Sequence, residues 1–189
     1  MARLGVLISG GGTNLQAILD AIDRGEMDAS VEIVISNKKD VYGLTRAENA
    51  HIPTFVSQDD DAILNKLQEY EVDYVLLLGY LRMISPEMVH AYPNRIINIH
   101  PSLIPAFCGK GYYGMKVHEA VIDKGVFFTG ATVHFVNEIY DDGEIILQEV
   151  VPVAPDDTPQ SIQKKVLKVE HEILVKAVNK VIEESKEDL

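Results

Sequence analysis

Short apolar runs rich in β-branched residues alternate with stretches of helical period, and this alternation most constrains how the 189-residue chain can fold. Leu4–Ile8 is the first run and ends in Ser9-Gly10-Gly11-Gly12-Thr13-Asn14. Leu15, Ile18, Leu19 and Ile22 then recur at helical spacing until Gly25. Val31–Ile35 is a second strand, followed by the turn Ser36-Asn37-Lys38-Lys39-Asp40, a helix over 43–50 and a brief strand over 54–56. Asp59-Asp60-Asp61 caps a helix holding Ile63, Leu64 and Leu67, where carboxylates suit the helix dipole. Val75–Leu78 is a fourth strand, and Ser85-Pro86 opens a short helix. The fifth strand carries Ile96, Ile97 and Ile99 and stops at Pro101, which cannot donate to a ladder. Repeated β–α alternation predicts an α/β fold with a doubly wound, mainly parallel sheet.

Beyond His100 the pattern changes. Residues 101–114 read as a long loop with Pro105, Gly109, Gly111 and Gly114, followed by a helix over 115–124. Two strands, 131–136 and 145–153, are joined by Asn137-Glu138-Ile139-Tyr140-Asp141-Asp142-Gly143 and predict a hairpin at the sheet edge. Thr158-Pro159 caps a long final helix whose apolar face is Ile162, Val166, Val169, Ile173 and Ala177. With no repeat and no linker, one domain spanning 1–189 is expected.

Composition narrows the function classes. A formal charge of −12 argues against a nucleic-acid binder, which wants a basic face, but leaves room for an anionic small molecule. Cys108 is the sole cysteine, so neither a disulfide nor a CxxC metal site is available, and nothing in its loop predicts a reactive thiol. No run resembles a signal peptide or approaches bilayer length, so a cytoplasmic protein with no membrane partner is expected.

Asn98 and His100 are two residues apart on one strand and point to the same side, at the carboxyl end where open α/β sheets bind ligands. They read either as a polarising amide and imidazole or as the hydrogen-bonding groups of a turn. The glycine loop at 10–12 lacks the third glycine of a dinucleotide fingerprint, because Leu15 stands there, and it lacks the Gly-Lys-Ser/Thr of a Walker loop. It reads as a monophosphate site built on backbone N–H groups with Thr13 and Asn14, or else as a tight turn capped by Thr13. Gly109-Lys110-Gly111-Tyr112-Tyr113-Gly114 follows no strand and reads as a mobile loop over the site. Asp141 belongs to a turn and reaches His100 only if the hairpin packs against that strand. His134 reads as a hydrogen-bonded partner within a strand, whereas His51, His90 and His118 carry no pattern. The chain offers no obvious nucleophile, which points to one substrate attacking another.

These stretches together resemble the folate-dependent formyltransferase family over essentially the whole chain. Asn98-Ile99-His100-Pro101-Ser102-Leu103-Ile104-Pro105 is similar to the signature shared by enzymes that use formyltetrahydrofolate. Three further features resemble the branch that formylates glycinamide ribonucleotide: Ser9-Gly10-Gly11-Gly12-Thr13-Asn14, Gly79-Tyr80-Leu81-Arg82-Met83-Ile84-Ser85, and Gly130-Ala131-Thr132-Val133-His134-Phe135-Val136 followed by Asp141. The resemblance implies a Rossmann-like formyltransferase fold, with a phosphate-binding half over 1–100 and a folate and catalytic half over 80–189. It implies Asn98, His100 and Asp141 as the catalytic set, with Asn98 and Asp141 also touching folate. Gly11, Gly12, Thr13 and Asn14 hold the substrate phosphate, and Glu170 contacts the glycinamide end. Leu81, Arg82, Met83 and Ile84 line the pterin pocket, largely through backbone atoms. The resemblance further implies 10-formyltetrahydrofolate as co-substrate and no metal, and the assembly is left open between monomer and homodimer.

Two departures stand out. Gln58-Asp59-Asp60-Asp61 is short and acidic where the family often carries a folate-binding arginine, and Cys108 replaces a common proline. The implied reaction is direct attack of the ribonucleotide amine on the formyl carbon. A deformylase would be expected to add an amino-terminal regulatory domain, and a methionyl-tRNA formyltransferase a basic carboxyl-terminal one. A non-catalytic nucleotide-binding module would have no need of Asn98, His100 and Asp141 together.

Overall fold

The computed structural model describes residues 1–187, so the last two residues of the expected domain lie outside it. Strands β1 (Ala2–Ile8), β2 (Ala29–Ser36), β3 (Thr54–Val56), β4 (Tyr74–Leu77), β5 (Ile96–His100), β6 (Phe128–Phe135) and β7 (Ile145–Pro152) form one sheet in the order β3-β2-β1-β4-β5-β6-β7. The first five are parallel, whereas β6 and β7 run antiparallel at one edge, as the hairpin reading expected. The order reverses beside β1, which makes the carboxyl ends of β1 and β4 the crevice where ligands sit in such sheets.

Helices α1 (Thr13–Asp23), α2 (Tyr42–Asn49), α3 (Asp60–Glu69), α4 (Pro86–Ala91), α5 (Met115–Lys124) and α6 (Pro159–Glu187) cover the two faces. Two apolar clusters form the core. One holds Leu4, Val6, Ile97, Ala131 and Val133 against Leu15 and Ile18 of α1 and Ile162, Val166 and Ile173 of α6. The other holds Leu7, Ile33 and Val75 against Ile63, Leu67 and Met88. Central strands read as unbroken apolar runs because each faces both clusters.

Local chemistry explains the element ends. Asp59 accepts from Asp61 N at 3.1 Å, as the acidic cap predicted. Thr158 and Ser161 cap α6 reciprocally, Ser161 N donating to Thr158 Oγ1 at 3.2 Å and Thr158 N to Ser161 Oγ at 2.9 Å. The cap of α1 is not the Thr13 cap of the tight-turn reading of the glycine loop. Gly12, in the left-handed region at φ 69°, is the cap residue, no side-chain cap bond is made, and Thr13 is the first helical residue. A Cβ on Gly12 would meet Gly43 Cα at 2.7 Å, so close approach of α2 decides this residue.

Candidate functional site

The large cavity of about 880 Å³ opens at the carboxyl ends of β1, β4 and β5. Its floor carries the glycine loop, its wall Asn98 and His100, and its roof Gly109–Gly114. Gly11, Gly12, Thr13, Asn14 and Glu170 all line it. A smaller cleft of about 50 Å³ lies beside it, among Leu77, Ile84, Val136 and Ile139. Tyr80, Met83, Asn98, Tyr140 and Asp141 line both, so the amide and the carboxylate stand where the two spaces meet.

Strand register sets this junction. Asn98 of β5 is directly opposite His134 of β6, and Asn98 Nδ2 lies 3.1 Å from His134 Nε2. His134 Nδ1 is 2.8 Å from the Phe135 carbonyl, which only accepts, so Nδ1 carries the proton of the neutral ring and Nε2 accepts from Asn98. Burial pulls the His134 pKa down and favours that neutral ring. The partner role read for His134 is therefore the one it plays, and it fixes which way the Asn98 amide faces.

His100 is organised differently. Its Nε2 lies 2.9 Å from the Phe107 carbonyl and so carries a proton, which leaves Nδ1 facing Asp141 Oδ2 at 3.7 Å. A second proton on the ring would thus sit beside a carboxylate. Asp141 adopts φ 52° in its turn, with its side chain 7% exposed, and Oδ2 accepts from Gly109 N at 2.8 Å. Its Oδ1 stands 3.8 Å from His134 Nε2. The hairpin thus brings Asp141 to His100, the contact that sequence made conditional. The loop after β5 is tied down by Thr132, whose Oγ1 donates to Ser102 O at 2.7 Å and accepts from Ile104 N at 3.1 Å.

At the other end Asn14 Nδ2 reaches Glu170 Oε1 at 3.4 Å, while Asn14 Oδ1 has no partner among the described residues. Burial pushes the Glu170 carboxyl up to about 7, against the smaller opposite pull of Asn14. His118 carried no sequence pattern, yet it is buried in the cavity wall with Nδ1 unpartnered among the described residues. Burial first, and then His100, lower its pKa to about 4.

The segment 81–84 is less uniform than expected. Leu81 N donates to Ser9 Oγ at 2.9 Å, so that backbone donor is engaged within the protein. Leu81 faces the large cavity, Arg82 and Ile84 line the small cleft, and Met83 lines both. The acidic run that opens α3 meets Arg82 at the cleft, Asp60 Oδ1 standing 3.9 Å from its Nη2. Cys108 is no activated thiol: burial and the neighbouring Asp141 and Asp142 raise its pKa.

The family model of the formyl transferases matches residues 2–178. The chain belongs to the formyl transferase family. This formyl transferase is 42% identical to the chloroplastic phosphoribosylglycinamide formyltransferase of Arabidopsis thaliana, over 96% of its own length and 66% of the relative's. It spans 61% of the Vigna unguiculata relative, so it covers just under two thirds of the plant proteins it matches. With phosphoribosylglycinamide formyltransferase of Haemophilus influenzae it shares 41% identity over 92% of this chain and 84% of that one. The crystal structure of glycinamide ribonucleotide transformylase 1 from Symbiobacterium toebii superposes with a TM-score of 0.89 at 43% identity, covering 95% of this chain and 86% of that one. A formyltetrahydrofolate deformylase from Pseudomonas syringae reaches a TM-score of 0.85, at 26% identity and with 60% of its chain covered. The seven-stranded α/β fold is thus that of the glycinamide ribonucleotide transformylases.

Proposed function

We propose that the chain transfers the formyl group of 10-formyltetrahydrofolate to the amine of glycinamide ribonucleotide, a step of de novo purine biosynthesis that yields formylglycinamide ribonucleotide and tetrahydrofolate. The observation that carries this reading is that Asn98 and Asp141 line both spaces, with His100 on the wall of the larger one and 3.7 Å from Asp141. A reaction in which one bound substrate attacks another needs its polarising groups there.

The glycine loop and the start of α1 offer N–H groups to the 5′-phosphate. Gly11 and Gly12 let a phosphate approach, and Thr13 adds a hydroxyl. The chain from there to Asn98 is lined by Asn14 and Glu170, which suit the amide and amine of the glycinamide end. The pterin enters the small cleft beside Arg82, Met83 and Ile84. At about 50 Å³ that cleft is smaller than the roughly 300 Å³ at which ligand sites begin, so the pterin also takes up space of the adjoining large cavity, with which the cleft shares Tyr80, Met83 and Tyr140.

Attack by the free amine on the formyl carbon builds a tetrahedral oxyanion. Asn98, anchored through one amide hydrogen to His134, turns its other hydrogen towards that oxygen. His100, protonated at Nδ1, stabilises the same charge, and one such donor is worth about 3–4 kcal/mol in the transition state. Asp141 holds the imidazolium in place and relays the amine proton through water to the leaving folate nitrogen. Juxtaposing two bound substrates supplies much of the remaining acceleration. No metal and no covalent intermediate enters this scheme.

A spectrophotometric assay of folate deformylation with both substrates, and with the ribonucleotide omitted, tests the reading. Release that needs both supports a transferase. Release with the folate alone indicates a deformylase, and no release with phosphate binding intact indicates a non-catalytic module.

A further inference from the structure

A phosphate on the glycine loop leaves a charge unaccounted for. A phosphomonoester carries close to two negative charges at neutral pH. The lining of the large cavity holds a single lysine, Lys110, against the carboxyl groups of Asp141 and Glu170, in a chain of net charge −12. Arg46, behind the glycine loop, is already engaged. Its Nε donates to Gly11 O at 2.8 Å and its Nη1 to Gln16 Oε1 at 3.0 Å, and its guanidinium lies 4.8 Å from the Tyr42 ring centroid. Arg46 therefore shapes the loop from outside rather than facing the cavity.

Two lysines outside that lining stand near one of its residues, Tyr113. Tyr113 lines the cavity with 46% of its surface exposed. Lys116, in the first turn of α5, donates from Nζ to the Tyr113 hydroxyl at 2.9 Å, and its ammonium lies 4.5 Å from the ring centroid. Lys38 belongs to the turn after β2. That turn is joined to the glycine-loop end of β1, because Ser9 Oγ donates to Asn37 Oδ1 at 2.6 Å. The hydrogen bond from Lys116 acts first, followed by the charges of Lys116 and Lys38, to pull the Tyr113 hydroxyl below the ordinary phenol range. That oxygen accepts from Lys116, and its own hydrogen has no acceptor among the described residues. An O–H made more acidic in this way is a stronger donor to an anion.

We infer that Tyr113 and Lys116, together with Lys38 from the turn beside the glycine loop, form the cationic arm of the phosphate site, supplying the charge that the dianion needs and selecting a phosphorylated sugar over its unphosphorylated form. This inference rests on the proposed assignment of the glycine loop to phosphate. The loop supplies dipoles without net charge, and the arm supplies two ammonium groups and a hydroxyl. All three side chains sit on exposed positions, so their replacement spares the core.

The test is calorimetric titration of the full chain with ribose 5-phosphate at low ionic strength, comparing wild type with Lys116→Met, Lys116→Arg, Tyr113→Phe and Lys38→Met. Lys116→Met is expected to weaken binding roughly tenfold, as loss of a charged hydrogen bond does, and Lys116→Arg to retain most of the affinity. Tyr113→Phe and Lys38→Met each cost a few-fold, and every loss shrinks as salt is raised. The KM for glycinamide ribonucleotide rises in parallel, while the KM for the formyl folate moves less than about twofold. Equal affinity of wild type and Lys116→Met for ribose 5-phosphate overturns the arm and leaves the glycine loop standing. A wild-type chain that does not bind ribose 5-phosphate overturns the glycine-loop assignment and the arm with it.

Discussion

The two ends of the large cavity are made of different material. At the glycine-loop end the groups on offer are backbone N–H groups, shaped by the positive φ of Gly12 and its contact with Gly43. At the opposite end they are side chains drawn from distant positions: Asn98 and His100 from β5, and Asp141 from the turn after β6. Each is held by a further group: Asn98 by His134, His100 by the Phe107 carbonyl and Asp141 by Gly109 N. The backbone-built end tolerates no added carbon at Gly12. A side-chain-built end tolerates backbone adjustment but no lost functional group.

The largest effect that would sharpen this contrast is expected from His100→Ala. Steady-state kinetics should show kcat falling roughly a thousandfold with either KM changed less than about threefold, because the lost interaction belongs to the transition state. Unchanged turnover would break the account at its side-chain end.

Next is the one buried carboxyl near the backbone-built end. Folding raises the Glu170 pKa from 4.5 to about 7, so the folded chain holds that proton more tightly than the unfolded chain. Its contribution to stability is therefore full below pH 4.5 and is lost as pH rises through 7, by at most about 3 kcal/mol. Denaturant unfolding at pH 5 and pH 8 should show wild type losing stability on this account and Glu170→Gln losing less. Parallel curves would remove Glu170 from the cavity wall as described.

Gly12→Ala probes the backbone end directly. Its φ of 69° and the 2.7 Å approach to Gly43 predict a stability loss of about 2 kcal/mol in urea unfolding, together with a higher KM for the ribonucleotide. A fall in kcat with no change in that KM would erase the distinction between the ends. The smallest effect is expected from His134→Phe. It keeps the bulk of a side chain only 2% exposed but frees the Asn98 amide, and kcat should fall roughly tenfold.

The same contrast governs what could be read from sequence. The parallel half was legible as periodicity, because each strand, its turn and its helix are contiguous. Asn98 and His100 were legible as a pair because strand side chains repeat every two residues, and the structure places both on the cavity wall. Other features depend on tertiary register. His134 became the anchor of Asn98 only through the antiparallel alignment of β5 with β6. The Asp60–Arg82 approach joins two segments that do not touch in sequence. His118 escaped notice because one polar residue on an amphipathic helix carries no local sign that its face lines a cavity. A threonine before an apolar run leaves a Thr13 cap open in sequence, whereas contact with Gly43 gives that position to Gly12.

Single-turnover kinetics of Asp141→Asn, with glycinamide ribonucleotide and 10-formyltetrahydrofolate both saturating, separates action of Asn98, His100 and Asp141 on the transfer step from action on binding. Formyl transfer is expected to slow at least about a hundredfold while both substrates still saturate at near wild-type concentrations. Transfer at the wild-type rate would contradict action on that step.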